Sequence, residues 1–362
     1  MITILLPDLR GGGAERVMID LAREFAHLGQ NVEFVLMQAT GDFLPEAQRH
    51  FAVQDLATSR TRRVAGRFAR YLRDRKPDAV IANMWPLTSA AVIGKTLSRQ
   101  SCRLLLVEHN TLTQQYASWG RLHALFMSTS MSATYRFANR IAAVSEGSAL
   151  DTARLARLPS DRVTVLHNPI PQRPMPSPEA SAMADTLWAC PPGQRVLTVG
   201  SLKDQKNHHL LLRALAAWSR PDVRLMLLGK GENEARLRAL ASDLGIADRV
   251  IFAGFHADPS PFYATADLFV LSSDYEGFGN VIVEALSFGV PVASTDCPSG
   301  PSEILQGGRF GRLVPVGDAQ ALARAMEVAL AAPADREALI RRAADFAPEI
   351  AARKYLDLLG LT

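Results

Sequence analysis

Two carboxylates, Glu276 and Glu284, bracket the most suggestive stretch of the chain. It reads Ser273-Asp-Tyr-Glu-Gly-Phe-Gly-Asn280 and runs straight into Val281-Ile-Val-Glu-Ala-Leu286. An apolar run at 268–271 predicts a strand that delivers this loop. Gly277 and Gly279 flank Phe278, and a helix is expected to start near Asn280. Loop amides with no Cβ in front of them, at a strand's carboxyl end and a helix's start, suit a phosphate. Glu276 then falls in the loop and Glu284 about one turn into the helix. So placed, the pair can hold two neighbouring hydroxyls of a sugar or ribose without coupling to each other. A merely solvated Glu284 fits less well. Val281, Ile282, Val283, Ala285 and Leu286 surround it, and charge is seldom buried without a partner.

Three further loops carry chemistry of the same kind. In Val199-Gly-Ser-Leu-Lys-Asp-Gln-Lys-Asn207, Gly200 and Ser201 follow a strand, and Lys203 and Lys206 can neutralise a diphosphate, although loop lysines are solvated by default. Arg10-Gly-Gly-Gly-Ala-Glu-Arg16 also joins strand to helix. Gly12 and Gly13 let backbone N–H groups approach an anion, or they serve a tight turn only. It is not a P-loop, since no Gly-Lys-Ser/Thr follows, and Arg16 stands where a dinucleotide fingerprint needs its third glycine. Glu15 belongs to the first helical turn, where the dipole favours it without a catalytic duty. Finally, Glu108-His109-Asn110 closes a buried run at 104–107, so His109 is expected at a strand's carboxyl end, facing a cleft, where it is either a structural histidine or a functional one.

The elements that must position these loops alternate through all 362 residues. Val/Ile/Leu-rich runs at 2–6, 31–37, 79–82, 104–107, 141–144 and 163–166 do not alternate with polar residues. They read as parallel strands covered on both faces, with helical segments such as 15–28 between them. Five prolines between Asn168 and Pro178 interrupt the pattern. It resumes with strands at 196–199, 223–228, 250–255, 268–271 and 290–294 and helices at 208–218 and 232–244. The fold class is therefore α/β: two Rossmann-like, doubly wound domains facing across a cleft, 1–170 and 171–345. An amphipathic C-terminal helix in 346–362 packs on its own domain or crosses back to the first.

Composition removes other classes. Hydrophobic residues make up 48% and charged residues 21%, which excludes disordered and fibrous chains. No run approaches a spanning helix, the first residues do not resemble a signal peptide, and three scattered cysteines form no disulfide framework or metal cluster. A soluble protein of a reducing compartment is expected. Residues 1–170 hold 21 Lys/Arg against 14 Asp/Glu, with an Arg-rich stretch from Arg60 to Lys76 opposed only by Asp74. That stretch is either a solvated helix face or a contact for anionic lipid head groups or a phosphate-bearing acceptor. Nucleic acid is not expected, because the stretch lacks interleaved aromatic residues.

Together these residues resemble glycosyltransferase family 4. The resemblance rests on Gly12-Gly-Ala-Glu-Arg16, His167-Asn-Pro169, Gly200-Ser-Leu with Lys206-Asn207, Glu276 and Glu284 in Tyr275-Glu-Gly-Phe-Gly-Asn…Val-Glu-Ala-Leu286, and Cys297-Pro-Ser-Gly-Pro301 with Glu303-Ile-Leu305. It covers nearly the whole chain. It implies a GT-B fold and a retaining, nucleotide-sugar-dependent hexosyltransferase. Glu276 would hold hydroxyls of the transferred sugar and Glu284 the ribose. Lys206 and the amides around Gly277, Phe278, Gly279 and Asn280 would hold the diphosphate, with Gly12 and Gly13 approaching from the other domain. His109 would touch the donor sugar. One departure is that Ser201 stands where the family usually has an arginine, which leaves the diphosphate to Lys206 alone or requires Lys203 to reach in. The implied catalytic set is Glu276, His109 and Lys206. No metal and no cofactor are expected, since Lys206 and loop amides stabilise the departing diphosphate and no Asp-x-Asp cluster is present. The expected partners are a nucleotide sugar, UDP-linked by analogy, and a glycan or lipid-linked acceptor. The expected location is the cytoplasm, peripheral on the inner face of the membrane. A nucleotide-sugar epimerase and a non-catalytic nucleotide-sugar-binding module are the alternatives.

Overall fold

The computed structural model describes residues 1–361. The chain divides into two compact units, Met1–Pro171 with the segment from Ala347 onward, and Gln172–Phe346. In the first unit seven strands, β1 (Ile2–Leu6), β2 (Val32–Leu36), β3 (Ala52–Asp55), β4 (Ala79–Asn83), β5 (Arg103–Glu108), β6 (Arg140–Ala143) and β7 (Val163–Val165), pair in the order β3-β2-β1-β4-β5-β6-β7. In the second, β8 (Arg195–Val199), β9 (Arg224–Leu228), β10 (Val250–Gly254), β11 (Leu268–Leu271), β12 (Val292–Thr295) and β13 (Arg312–Val314) pair as β10-β9-β8-β11-β12-β13. Every ladder is parallel. Both units are thus Rossmann-like sheets of the kind the apolar runs predict.

Burial explains why those runs form central strands. All five residues of β1, β2 and β4 are buried, so each strand needs apolar side chains on both faces. The sequence reading lacked β3 and β13. β3 is an edge strand whose Ala-Val-Gln-Asp is mostly exposed, and β13 is three residues long at the other sheet's edge, so neither carries a buried apolar run. The proline stretch forms no regular element until a helix opens at Pro178. There Ser177 Oγ accepts from the Ala180 amide, and proline sits at the first helical position, where it costs no hydrogen bond.

In each sheet the strand order reverses once, between β1 and β4 and between β8 and β11. Loops at the carboxyl ends beside such a reversal diverge to opposite faces and leave a crevice for ligands. The glycine loop at 11–13 follows β1, the Lys206 loop follows β8 and the Glu276 loop follows β11. The chain's last helix, Pro348–Leu359, belongs to the first unit. Its Tyr355 ring meets Phe25 edge-on at 6.3 Å, and Arg103 donates to the carbonyls of Leu359 and Gly360.

Candidate active site

In the second unit two loops at the reversal are fastened to one another. The Asp274 amide donates to the Gln205 carbonyl (2.9 Å), Gln205 Nε2 to the Tyr275 carbonyl (2.9 Å), and Asn207 Nδ2 to Asp274 Oδ1 (2.7 Å). Ser272 Oγ donates to the Lys206 carbonyl at 2.8 Å. Asn207 can hold this junction because it adopts a left-handed conformation (φ 42°) while its Oδ1 caps the helix His208–Ala217. The fastening brings Lys206 Nζ to 2.6 Å from Glu276 Oε1, and Ser273 Oγ reaches the same oxygen at 2.6 Å. The pair is largely out of water, with 16% of the Lys206 side chain and 7% of the Glu276 side chain exposed. Gly200 joins the site because a Cβ there would lie 3.4 Å from Lys206 Cε.

The loop after Glu276 is fixed by a buried anchor. Phe278 points inward, edge-on to Phe346 at 5.3 Å, so the segment offers its main chain and not its ring. Gly279 takes φ 99° as the residue before the helix Asn280–Ser287. Gly300, at φ 91°, presses against this loop so closely that a Cβ would lie 1.7 Å from the Phe278 carbonyl oxygen. Glu284 does not meet Glu276. It is half-buried in the helix and accepts from Tyr263 Oη at 2.9 Å. Burial raises its pKa above the ordinary carboxylate value, against lesser pulls downward from Arg173 and the Tyr263 hydrogen bond.

Ser201 and Lys203 are exposed on the same loop. Lys203 lies below its ordinary pKa, first through desolvation and then through repulsion by Lys206. A component absent from the sequence reading is the Gly229-Lys230-Gly231 turn after β9. The Leu202 amide donates to the Lys230 carbonyl at 3.0 Å, and a Cβ on Gly229 or Gly231 would strike the carbonyl oxygen of Gly200 (2.0 Å) or Leu202 (2.3 Å). The signal was legible as two glycines around a lysine at a strand's carboxyl end. Lys230 is exposed and adds a third cation to this edge.

His109, Gly12 and Gly13 lie in the first unit. His109 follows β5, and its Nε2 is 2.8 Å from Asn83 Oδ1. Asn83 Nδ2 donates to the carbonyls of Leu5 (3.1 Å) and Ile81 (3.3 Å), so Oδ1 is its accepting atom and Nε2 must carry the proton. Nδ1 is then a lone-pair acceptor, buried and with no hydrogen-bond partner among the described residues. Burial lowers the imidazole pKa to about 4, so the ring is neutral at ordinary pH. Beneath it, fully buried Glu108 accepts from the Trp85 amide (3.1 Å), Thr88 Oγ1 (3.1 Å) and Tyr135 Oη. Gly12 and Gly13 are exposed. The Glu15 carboxyl folds back over Gly12, with Oε2 2.3 Å from where a Cβ would stand, and burial raises its pKa. Among the described residues no group of three or more His, Cys, Asp or Glu is placed to hold a metal ion.

With this geometry in place, comparison with known proteins gives the family. Residues 11–172 match the model of Glycosyltransferase Family 4, and residues 192–346 that of Glycosyl transferases group 1. The chain belongs to glycosyltransferase family 4, and its two Rossmann-like units are those of the GT-B fold. It is 40% identical over 170 residues to the lipopolysaccharide core biosynthesis glycosyltransferase LpsE of Rhizobium meliloti, a match covering 46% of this chain and 49%, about half, of that protein. It is 26% identical over 337 residues, 90% of this chain and 89% of the relative, to the N-acetylgalactosamine-N,N'-diacetylbacillosaminyl-diphospho-undecaprenol 4-alpha-N-acetylgalactosaminyltransferase of Campylobacter jejuni. The crystal structure of Anabaena HepE in complex with UDP superposes with a TM-score of 0.84 at 22% identity, covering 100% of both chains.

Proposed function

We propose that this chain is a retaining hexosyltransferase. It moves a hexose or N-acetylhexosamine from a nucleotide diphosphate sugar, by preference a UDP-sugar, to a glycan or lipid-linked saccharide in polysaccharide or glycoconjugate assembly. The observation that carries this reading is the buried Lys206–Glu276 pair, set where the strand order reverses and beside the main chain of 277–279. The Campylobacter relative's undecaprenol-linked acceptor and the UDP bound by Anabaena HepE agree with it.

In this mechanism the anomeric C–O bond breaks and its electron pair passes to the departing β-phosphate oxygen. The acceptor hydroxyl forms the new bond on the face the diphosphate leaves, and its proton passes to that phosphate. Lys206, already oriented by Glu276, faces the growing negative charge without reorganising. Glu276, once it shares its lysine with the diphosphate, accepts from sugar hydroxyls, and Glu284 accepts from the ribose. The accepting Nδ1 of His109 suits a donor-sugar hydroxyl. Lys206 and the loop amides supply the charge stabilisation, so the reaction requires no metal. Labelled UDP-sugars offered with lipid-linked and free glycan acceptors test the proposal, with and without EDTA. Wild type is expected to give an acceptor-dependent product of retained configuration in both, and Glu276→Ala to abolish it. Unchanged turnover in Glu276→Ala refutes the site. Isomerised donor without acceptor would indicate an epimerase, and UDP binding without turnover a binding module.

A further inference from the structure

We propose that Arg173, in the proline stretch, is a positioning residue for the nucleotide: through Asp258 and Tyr263, and by its own charge, it readies Glu284 to accept from the ribose. This deepens the function proposed above and rests on its reading of Glu284. Arg173 stands between Pro171 and Pro174, in a segment stiffened by proline rings and belonging to the second unit. Its Nη1 donates to Asp258 Oδ1 at 3.3 Å, and the same oxygen accepts from the Ser260 amide at 3.0 Å. That amide opens the helix Ser260–Thr265. At the helix's other end Trp188 Nε1 donates to Thr265 Oγ1 at 2.9 Å, and the helix Pro178–Trp188 packs on it. The segment 173–188 therefore fastens this short helix at both ends.

Between the two fastenings lies Tyr263, wholly buried. Its ring stacks on Phe288, with centroids 5.8 Å apart and planes 9° from parallel, which directs the phenol hydroxyl to Glu284 Oε2 at 2.9 Å. That bond engages one carboxylate oxygen and leaves Oε1 for a ribose hydroxyl. Only the ionised carboxyl offers acceptors alone to a pair of hydroxyls. Burial opposes ionisation of Glu284, and the positive charge of Arg173 favours it, ahead of the Tyr263 hydrogen bond. Other charges on the helices packed around Asn280–Ser287 are committed elsewhere. Glu303 accepts from the Gly300 amide (3.3 Å), Arg342 pairs with Asp345 (2.6 Å) and Glu337 with Arg341 (3.4 Å), while Arg336 packs beside Gly289 beyond the helix's end. The Arg173–Asp258 pair is itself open to water, with 36% and 63% of the side chains exposed. Such a pair adds little to folding, so Arg173 variants should fold, and its effect is felt at Glu284.

The test compares UDP with 2′,3′-dideoxyuridine diphosphate, which lacks the ribose hydroxyls, by calorimetry on the full chain across pH. Wild type should prefer UDP, and Glu284→Gln should lose that preference. Arg173→Met should cut the preference roughly three- to ten-fold while binding the dideoxy compound as wild type does. Arg173→Lys, which keeps the charge, should restore most of it. Without the guanidinium the Glu284 carboxyl protonates more readily, so on acidification Arg173→Met should lose its preference at a higher pH than wild type. An Arg173→Met variant with the wild-type preference, or one that weakens both ligands equally, overturns the inference alone when Glu284→Gln behaves as expected. Wild type indifferent to the hydroxyls, or Glu284→Gln as selective as wild type, overturns the ribose reading of Glu284 and this inference with it.

Discussion

Replacing Lys206 with methionine tests whether its pair with Glu276 is both structural and catalytic. The methionine preserves the aliphatic stem, which packs beside Gly200, and deletes the charge. Breaking a buried ion pair from one side costs ~3–5 kcal/mol, because the other charge stays desolvated. Here the side chains keep 16% and 7% exposure and Ser273 Oγ still donates to Glu276, so the loss should be ~2–4 kcal/mol. For a unit of this size each kcal/mol moves the melting temperature by ~2–4 °C, giving a drop of ~5–15 °C in the second unit. Glu276→Gln in the Lys206→Met background removes the orphaned charge, so the double variant should regain at least ~1 kcal/mol over the single one. Activity must not follow. Deleting a preorganised group that faces developing charge lowers turnover ~10²–10³-fold, and the double variant stays as inactive as the single one. Thermal melts and kcat/KM for UDP-sugar transfer, measured on wild type, Lys206→Met, Glu276→Gln and the double variant, decide the matter. A coupling energy below ~0.5 kcal/mol, within the additivity of independent sites, or transfer by Lys206→Met within a few-fold of wild type, would refute the reasoning.

Three further outcomes are expected. Burial raises the Glu108 carboxyl from 4.5 to about 7, so folding favours its neutral form; that stabilisation is complete below pH 4.5 and is lost as pH rises through 7. Denaturant titrations should show wild type losing ~3 kcal/mol relative to Glu108→Gln between pH 4.5 and 8; a flat difference would contradict the assignment. Tyr263→Phe removes a hydrogen bond that pulls the Glu284 pKa down, and should cost ~0.5–1.5 kcal/mol while weakening UDP binding several-fold by calorimetry. Gly300→Ala combines a φ of 91° with a Cβ 1.7 Å from the Phe278 carbonyl oxygen, so the loop must shift; loss of UDP-induced thermal stabilisation is the readout.

What the sequence made legible follows from what a residue's own neighbours determine. Central strands announce themselves because both faces are buried, so 268–271 and 196–199 read correctly, and the glycines after them mark the turns that follow. Edge strands β3 and β13 were silent for the same reason in reverse: half-exposed residues need no apolar run. Lys206 and Glu276 could each be assigned to a strand-end loop, but their contact spans 70 residues of chain and exists only because β8 pairs with β11 and not with a strand nearer in sequence. The same holds for His109, whose protonated nitrogen is set by Asn83 on a neighbouring strand and by two main-chain carbonyls beyond it. The exposed apolar side of the helix Gly120–Thr134 fails to announce itself for a different reason. A helix apolar on both sides has the pattern of a buried helix, and only the neighbours that pack on one side reveal that the other meets water. Local chemistry is therefore readable from residue types, whereas pairing, tautomer and surface are properties of the strand order, which the types constrain without specifying.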